Sequence, residues 1–229
     1  MKLTIFKIKF EKFEVIWFTI ALVLLFGIEI FLQDTLLGII VTITGMLNVL
    51  LVAKRSMWNY LFGIINVSLY AYVSYQAGYG GDFVTMTFYY LPLQFIGIYT
   101  WKNHMKVEAN NAAVEYKKFN FIMWAILIVN LIVGTLITAQ LLPLITALFG
   151  MPINQLPLID AFTTYAGITA GVLMALRYSE QWWIWIGVNI GSVVMWFTML
   201  GKADNAAAMV IMWSAYLINA IYGLYKWEK

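Results

Sequence analysis

The chain contains no cysteine, one histidine and four prolines, and only 11% of its 229 residues are charged. Without cysteine there is no disulfide and no thiolate chemistry. The single histidine, His104, stands in a polar loop beside Lys102 and Lys106 and reads as solvated, so no metal or cofactor is expected. No phosphate-loop glycine motif occurs, and the hydrophobic runs leave no room for a nucleotide-binding domain, which argues against ATP-driven transport by this chain alone. Nucleic-acid binding is also disfavoured, because the basic residues are scattered over short segments rather than gathered in a patch.

What is abundant is apolar surface. Hydrophobic residues make up 63% of the chain, well above the roughly 45–50% of soluble domains, and mean hydropathy is +0.82. Runs long enough to span a bilayer are predicted near 15–32, 35–53, 57–77, 83–101, 119–139, 158–176, 182–201 and 205–226. They are continuously apolar rather than alternating, which predicts helices and not barrel strands. The first run follows Lys2, Lys7, Lys9 and Lys12 but lacks a small-residue cleavage site, so it reads as a retained helix. With the N-terminus inside, thirteen of the fourteen basic residues fall on the inner side and only Lys202 falls outside. Both termini are therefore expected in the cytoplasm.

Three consecutive segments recur in order. Thr42, Gly45, Leu51, Ala53 and Arg55 match Thr164, Gly167, Leu173, Ala175 and Arg177 at an offset of 122. Trp58, Gly63, Ser68 and Tyr72 match Trp182, Gly187, Ser192 and Trp196 at 124, and Tyr90, Gly97, Tyr99 and Trp101 match Tyr216, Gly223, Tyr225 and Trp227 at 126. Two units of three helices, separated by one linker helix, point the same way across the membrane. The expected fold is an all-α integral membrane protein of eight transmembrane helices: an amphipathic or extra transmembrane helix in 1–34, a first triplet in 35–101, a loop, linker helix and outer loop in 102–157, and a second triplet in 158–229. Parallel triplets joined by one helix resemble the SWEET-type fold.

Polar residues inside spans are costly enough to need a partner, a cavity or a substrate. Apart from Glu29 and Asp160, the predicted spans hold no carboxylate; their polar groups are amides and hydroxyls, among them Asn48, Asn66, Gln94, Asn130, Thr164, Asn189, Ser192 and Asn219. Trp185, Asn189, Ser192 and Trp196, spaced by four, three and four, share one helical face. An aromatic heterocycle could stack on a ring there while the amide reads a polar substituent. The matching face of the first copy, Leu61, Ile65, Ser68 and Tyr72, lacks the amide, which places the ligand toward the second copy. Trp182, Tyr90, Gln94, Asn66, Thr164, Trp213 and Asn219 complete the candidate binding set. Trp17, Trp58, Trp101, Trp182, Trp183 and Trp227 also read as interfacial anchors.

The stretch Trp58-Asn59-Tyr60-Leu61-Phe62-Gly63-Ile64-Ile65-Asn66-Val67, the Asp160-Ala161-Phe162 start of the sixth run, and Arg177-Tyr178-Ser179-Glu180-Gln181-Trp182 leading to Trp185, Asn189 and Ser192 resemble the PnuC family of nicotinamide riboside transporters. The resemblance implies no enzymatic activity, a bacterial plasma membrane location, and uptake of nicotinamide riboside by facilitated diffusion, drawn inward as a cytoplasmic kinase phosphorylates it for NAD synthesis. Partners are then the small-molecule substrate, the bilayer and that kinase, with a homo-oligomer allowed. Thiamine or another aromatic B vitamin is the rival substrate, and a non-transporting receptor is the rival class.

Overall fold

The computed structural model describes residues 10–32, 36–77, 79–108, 111–150 and 156–228. Lys2, Lys7, Lys9, Lys229 and the side chains of Glu29 and Lys106 lie outside the described residues. The helices are α1 (Lys12–Leu32), α2 (Leu36–Ala53), α3 (Asn59–Gln76), α4 (Gly80–Thr85), α5 (Leu91–Lys102), α6 (Phe121–Leu148), α7 (Pro157–Ala175), α8 (Gln181–Thr198) and α9 (Ala206–Glu228). A π-helical turn, Met86–Tyr90, joins α4 to α5, so 80–102 is one helical run and the described residues form eight runs in all. Of these, α2, α6, α7 and α9 are long and apolar enough, by length and composition, to cross a membrane.

Two boundaries and one loop differ from expectation. The fourth run begins at Gly80 rather than 83, which brings Asp82 into the helix. The linker helix α6 continues through Pro143 to Leu148; proline is tolerated within membrane helices, where neighbouring groups can take up the freed carbonyl. The loop after α5 carries β1 (Met105–Glu108) and β2 (Asn111–Val114), paired antiparallel, so the chain is not wholly helical. Strands of four residues are too short for their periodicity to register in the sequence.

The core is built from α8 packed on α7 and α9, α2 on α3 and α9, and α5 on α3 and α7. Helix α6 lies against α7 and turns Ile122, Ile126, Val129, Val133, Leu136 and Leu144 outward. On α3, Leu61, Ile65 and Tyr72 are also exposed. The sequence pairing of that face with Trp185, Asn189, Ser192 and Trp196 is therefore incorrect in register, because Asn189, Ser192 and Trp196 are buried. A two-residue slip turns a helix by roughly 200°, enough to exchange its inner and outer faces.

Four of the six tryptophans expected as interfacial anchors, Trp17, Trp101, Trp182 and Trp227, are buried instead. Trp101 and Trp227 are 0% exposed. The Trp101 Nε1–H donates to the carbonyl of Met174, and that of Trp227 to the carbonyl of Ala53, each at 3.2 Å. Both carbonyls stand at the C-terminal end of a helix, where intrahelical donors run out; that of Met174 also accepts from the Arg177 N–H at 3.0 Å. Trp17 and Trp182 are buried as well, whereas Trp183 is half exposed.

Helix α1 buries Glu14, Trp17, Ala21 and Leu25 along one face and exposes Phe13, Ile16, Ile20 and Leu24 on the other. Glu14 fastens its foot. Lys54 Nζ reaches both carboxylate oxygens at 2.7 and 2.8 Å, and the Tyr222 hydroxyl donates to Oε1 at 2.8 Å. Alongside, Lys226 pairs with Glu11 and, mainly by that hydrogen bond, holds its exposed carboxyl below the usual carboxylate range. Glu14→Ala is expected to destabilise the protein by about 3–5 kcal/mol, since Lys54 would lose its counter-charge, while the Glu14→Leu/Lys54→Met pair should recover most of the loss. Thermal unfolding in detergent checks both; equal losses in the two variants would show that packing, not charge, holds α1.

Candidate functional site

The polar side chains of the interior fall into two groups. The first surrounds the middle of the bundle. Tyr90, carried by the π-helical turn, sets its ring 6.4 Å from that of Trp185 at an interplanar angle of 31°. Its hydroxyl lies over the bare backbone of Gly167, where an added Cβ would stand 2.5 Å from it. One turn along, Gln94 is buried and directs its Oε1 at Gly63, within 2.5 Å of where a Cβ would be, and Asn48 Oδ1 approaches the same point at 3.2 Å. Glycine at 63 is what allows two amides to crowd that wall.

Six buried amide oxygens have no hydrogen-bond partner among the described residues: those of Asn59 and Gln181, at the first residues of α3 and α8, and those of Asn48, Gln94, Asn189 and Asn219, farther within the helices. Unpaired buried carbonyls of this kind cost about 1–3 kcal/mol each, and such exceptions call for an explanation. The set is rich in acceptors, has the Tyr90–Trp185 ring pair within the same bundle, and has no cationic side chain bonded to it among the described residues. It suits a ligand that brings hydroxyl or amide donors and an electron-poor ring.

Not every polar residue is left open. Asn66 Nδ2 donates to the Val41 carbonyl at 2.8 Å, and Asn219 Nδ2 to the Val49 carbonyl at 2.9 Å. Tyr216 OH lies 3.5 Å from Asn66 Oδ1 and covers Gly45. These bonds hold α2 to α3 and α9, so Asn66 is an interhelical bond, whereas Asn219 bonds with one end of its amide and leaves the other free. Asn130 is exposed on the outer face of α6. Trp182 is buried against Gly223 and meets Trp227 edge-on at 5.9 Å; its Nε1 has no partner among the described residues.

The second group lies near the opposite end. The Tyr70 hydroxyl accepts from Trp196 Nε1 at 2.9 Å and from Trp213 Nε1 at 3.2 Å, and donates to Asp82 Oδ2 at 2.7 Å. Tyr79 packs on Trp196 with centroids 4.7 Å apart and donates to the Met195 carbonyl at 3.0 Å. Trp196 and Trp213 thus belong with Tyr70. The shared helical face seen in the sequence is real, but eleven residues of α8 at 1.5 Å rise separate Trp185 from Trp196 by about 16 Å, too far for one small ligand to touch both. Ser192 is buried between them.

Asn48, Gly63, Tyr70 and Asp82 are the residues of interest absent from the sequence-based set. Asn48 carried a signal as an embedded amide; Asp82 did not, since it precedes the apolar run. Tyr70→Phe should leave two indole N–H groups and a carboxylate without their partner and cost about 1–3 kcal/mol for each group that finds no substitute. Thermal unfolding in detergent measures this, and a loss well under 1 kcal/mol would mean that the hydroxyl is not the fastening point.

Known proteins can be set beside this geometry. Residues 35–229 match the family model described as nicotinamide mononucleotide transporter. The chain is 36% identical over 219 residues to the nicotinamide riboside transporter PnuC of Haemophilus influenzae, covering 96% of this chain and 91% of that one. It is 34% identical over 220 residues to PnuC of Neisseria mucosa, covering 95% and 81%. A crystal structure of the vitamin B3 transporter PnuC superposes with a TM-score of 0.82 at 33% identity, covering 96% of this chain and 92% of the other. Agreement in sequence, length and fold makes the protein a multi-pass membrane transporter that belongs to the PnuC family.

Proposed function

We propose that the protein carries nicotinamide riboside across a bacterial inner membrane by facilitated diffusion, with both termini in the cytoplasm and net uptake drawn by a cytoplasmic kinase that phosphorylates the product. The unpaired amide oxygens of Asn48, Gln94, Asn189 and Asn219, with the Tyr90–Trp185 ring pair, carry this reading. Nicotinamide riboside is a pyridinium cation with a carboxamide and three sugar hydroxyls. It brings an electron-poor ring and a surplus of donors, the complement of these unpaired acceptors. The names of the relatives in Haemophilus influenzae and Neisseria mucosa support the same substrate.

The frame for alternating access is read as two parallel three-helix units, 35–101 and 158–229, joined through 102–157, with 1–34 as an added helix. Recurrent contacts support it. Tyr90 covers Gly167 as Tyr216 covers Gly45, and Tyr60 covers Gly97 as Trp182 covers Gly223. Arg55 and Arg177 both take the left-handed conformation, at φ 55° and 69°. In the middle helix the burial pattern favours an offset of 122. Asn59, Tyr60, Val67, Val73 and Ser74 are buried as Gln181, Trp182, Asn189, Met195 and Trp196 are.

Within the site, Trp185 would stack on the pyridinium, Asn189 and Gln94 would bond the carboxamide or sugar, and Tyr90 would close the other face. Calorimetry on the detergent-purified protein with nicotinamide riboside, thiamine and riboflavin tests the substrate. Nicotinamide riboside alone should bind; binding of thiamine or riboflavin in its place would keep the transporter class and reassign the substrate. Trp185→Ala should weaken binding by roughly 1–3 kcal/mol, and Asn189→Leu by at least about 1 kcal/mol. Wild-type affinity in either variant would remove that residue from the site. In proteoliposomes the substrate should equilibrate down its gradient with neither ATP nor an ion gradient, whereas a receptor would bind without flux.

A further inference from the structure

Residues 115–119 lead from β2 toward α6 at the end of the bundle that carries the termini. Their main chain pairs with the turn between α7 and α8. The Lys117 N–H donates to the Arg177 carbonyl at 2.8 Å, and the Ser179 N–H donates to the Lys117 carbonyl at 3.0 Å. Side chains of the same turn hold the segment on either side of those bonds. Arg177 Nη1 donates to the Glu115 carbonyl at 3.1 Å, and Glu180 Oε1 accepts from the Phe119 N–H at 2.7 Å. Arg177 and Glu180 are 7% and 5% exposed, so both holding side chains are themselves buried. The Phe119 ring meets that of Tyr178 at 5.0 Å and that of Trp124, on α6, at 6.0 Å.

The same segment also reaches the other three-helix unit. Tyr116 sets its ring 5.5 Å from the guanidinium carbon of Arg55, in the turn between α2 and α3, and 5.5 Å from the ring of Trp227 near the end of α9. Lys118 Nζ stands 5.9 Å from the Tyr116 ring as well. Arg55 and Arg177 are the arginines that recur at an offset of 122, both left-handed at the end of the first helix of their unit. They take hold of successive residues: Arg177 bonds the Glu115 carbonyl, and Arg55 lies against the Tyr116 ring. At that offset Trp58 stands where Glu180 does, so the carboxylate that bonds Phe119 is peculiar to the second unit. At this end the units also meet directly, through Trp101 on the Met174 carbonyl and Trp227 on the Ala53 carbonyl.

We infer that residues 115–119 are a latch across the seam between the two units: they travel with the second unit, hold the first through Tyr116 and Arg55, and must part from Arg55 before this end can open. The inference rests on the transport reading and the two-unit frame above. The unlike character of the two attachments sets the parting line. Breaking the attachment to the second unit would strip partners from main-chain groups and from the buried Arg177 and Glu180, a costly change where water is scarce. A cation against a partly exposed ring shifts an equilibrium by only about two- to fivefold. Arg55 and Tyr116 are both partly exposed and meet water when they separate.

A chain without natural cysteine lends itself to the test. In the variant Arg55→Cys/Tyr116→Cys, a short reducible bis-maleimide would occupy the space that the two side chains now fill. Joined in this way, the protein should lose nicotinamide riboside uptake in proteoliposomes yet still bind the riboside by calorimetry, and reduction should restore uptake. Lys117→Cys/Tyr178→Cys, at residues that are bridge partners, should carry the riboside equally well joined or unjoined. Should loss of the Tyr116 ring harm folding, Arg55→Cys/Lys118→Cys keeps the ring and should respond as the first pair does. Uptake that persists when the segment is joined to position 55, or that fails equally when it is joined to position 178, would overturn the inference. So would loss of binding together with uptake, which would mean that joining distorts the site. Unjoined and wild-type protein that bind the riboside without carrying it would instead sink the transport reading on which the latch depends.

Discussion

Aromatic side chains laid over bare glycine backbone are the contact on which the rest of this bundle depends. Apolar side chains gain little by leaving lipid for protein, so helices in a membrane associate through close packing and hydrogen bonds. Tyr216 over Gly45, Tyr90 over Gly167, Tyr60 over Gly97 and Trp182 over Gly223 bring the helices close enough for such bonds to form. The bonds follow where backbones are near: Asn219 to Val49, Thr100 to Ala175, Trp101 to Met174 and Trp227 to Ala53. A methyl group at any of these glycines would push an aromatic ring outward and part the helices that the bonds join.

The same packing explains why a polar interior can exist at all. Some of the embedded amide groups serve structure, as with Asn66 on Val41. The others are held by neighbours that fill the space around them but cannot bond them, leaving Asn48, Gln94 and Asn189 with open acceptors. A ligand with matching donors would relieve this cost on binding. Such a site binds without needing a fixed charge in contact with the ligand, which also lets the ligand leave.

The π-helical turn Met86–Tyr90 interrupts the helical run 80–102. It presents Tyr90 to Trp185 and precedes Pro92, whose missing N–H removes one more bond from the helix. Helix α9, by contrast, runs unbroken from Ala206 to Glu228 and is clamped at its end by Lys226, Tyr222 and Trp227. Functional π-turns often sit where a helix must carry a side chain to a ligand, and here the ring it carries is the one stacked nearest to Trp185.

Much of this was legible in the chain before folding. Continuous apolar runs, few charges and no cysteine determined a helical membrane protein, because only internally bonded segments survive in lipid. Repeated glycines, aromatics and arginines marked the segments that pack alike, and the stretch from Arg177 to Ser192 pointed to the family. Which side chains open into the interior was decided only by tertiary structure. Sequence periodicity places residues on a face but does not say what opposes it; it could not separate Trp196, tied to Tyr70, from Trp185, facing Tyr90. Nor could it tell an amide bonded to a neighbouring backbone from one left open, or assign Asp82, whose burial depends on where α4 begins and on Tyr70 reaching it from another helix. Those distinctions arise from contacts between helices distant in the chain, and no local pattern encodes them.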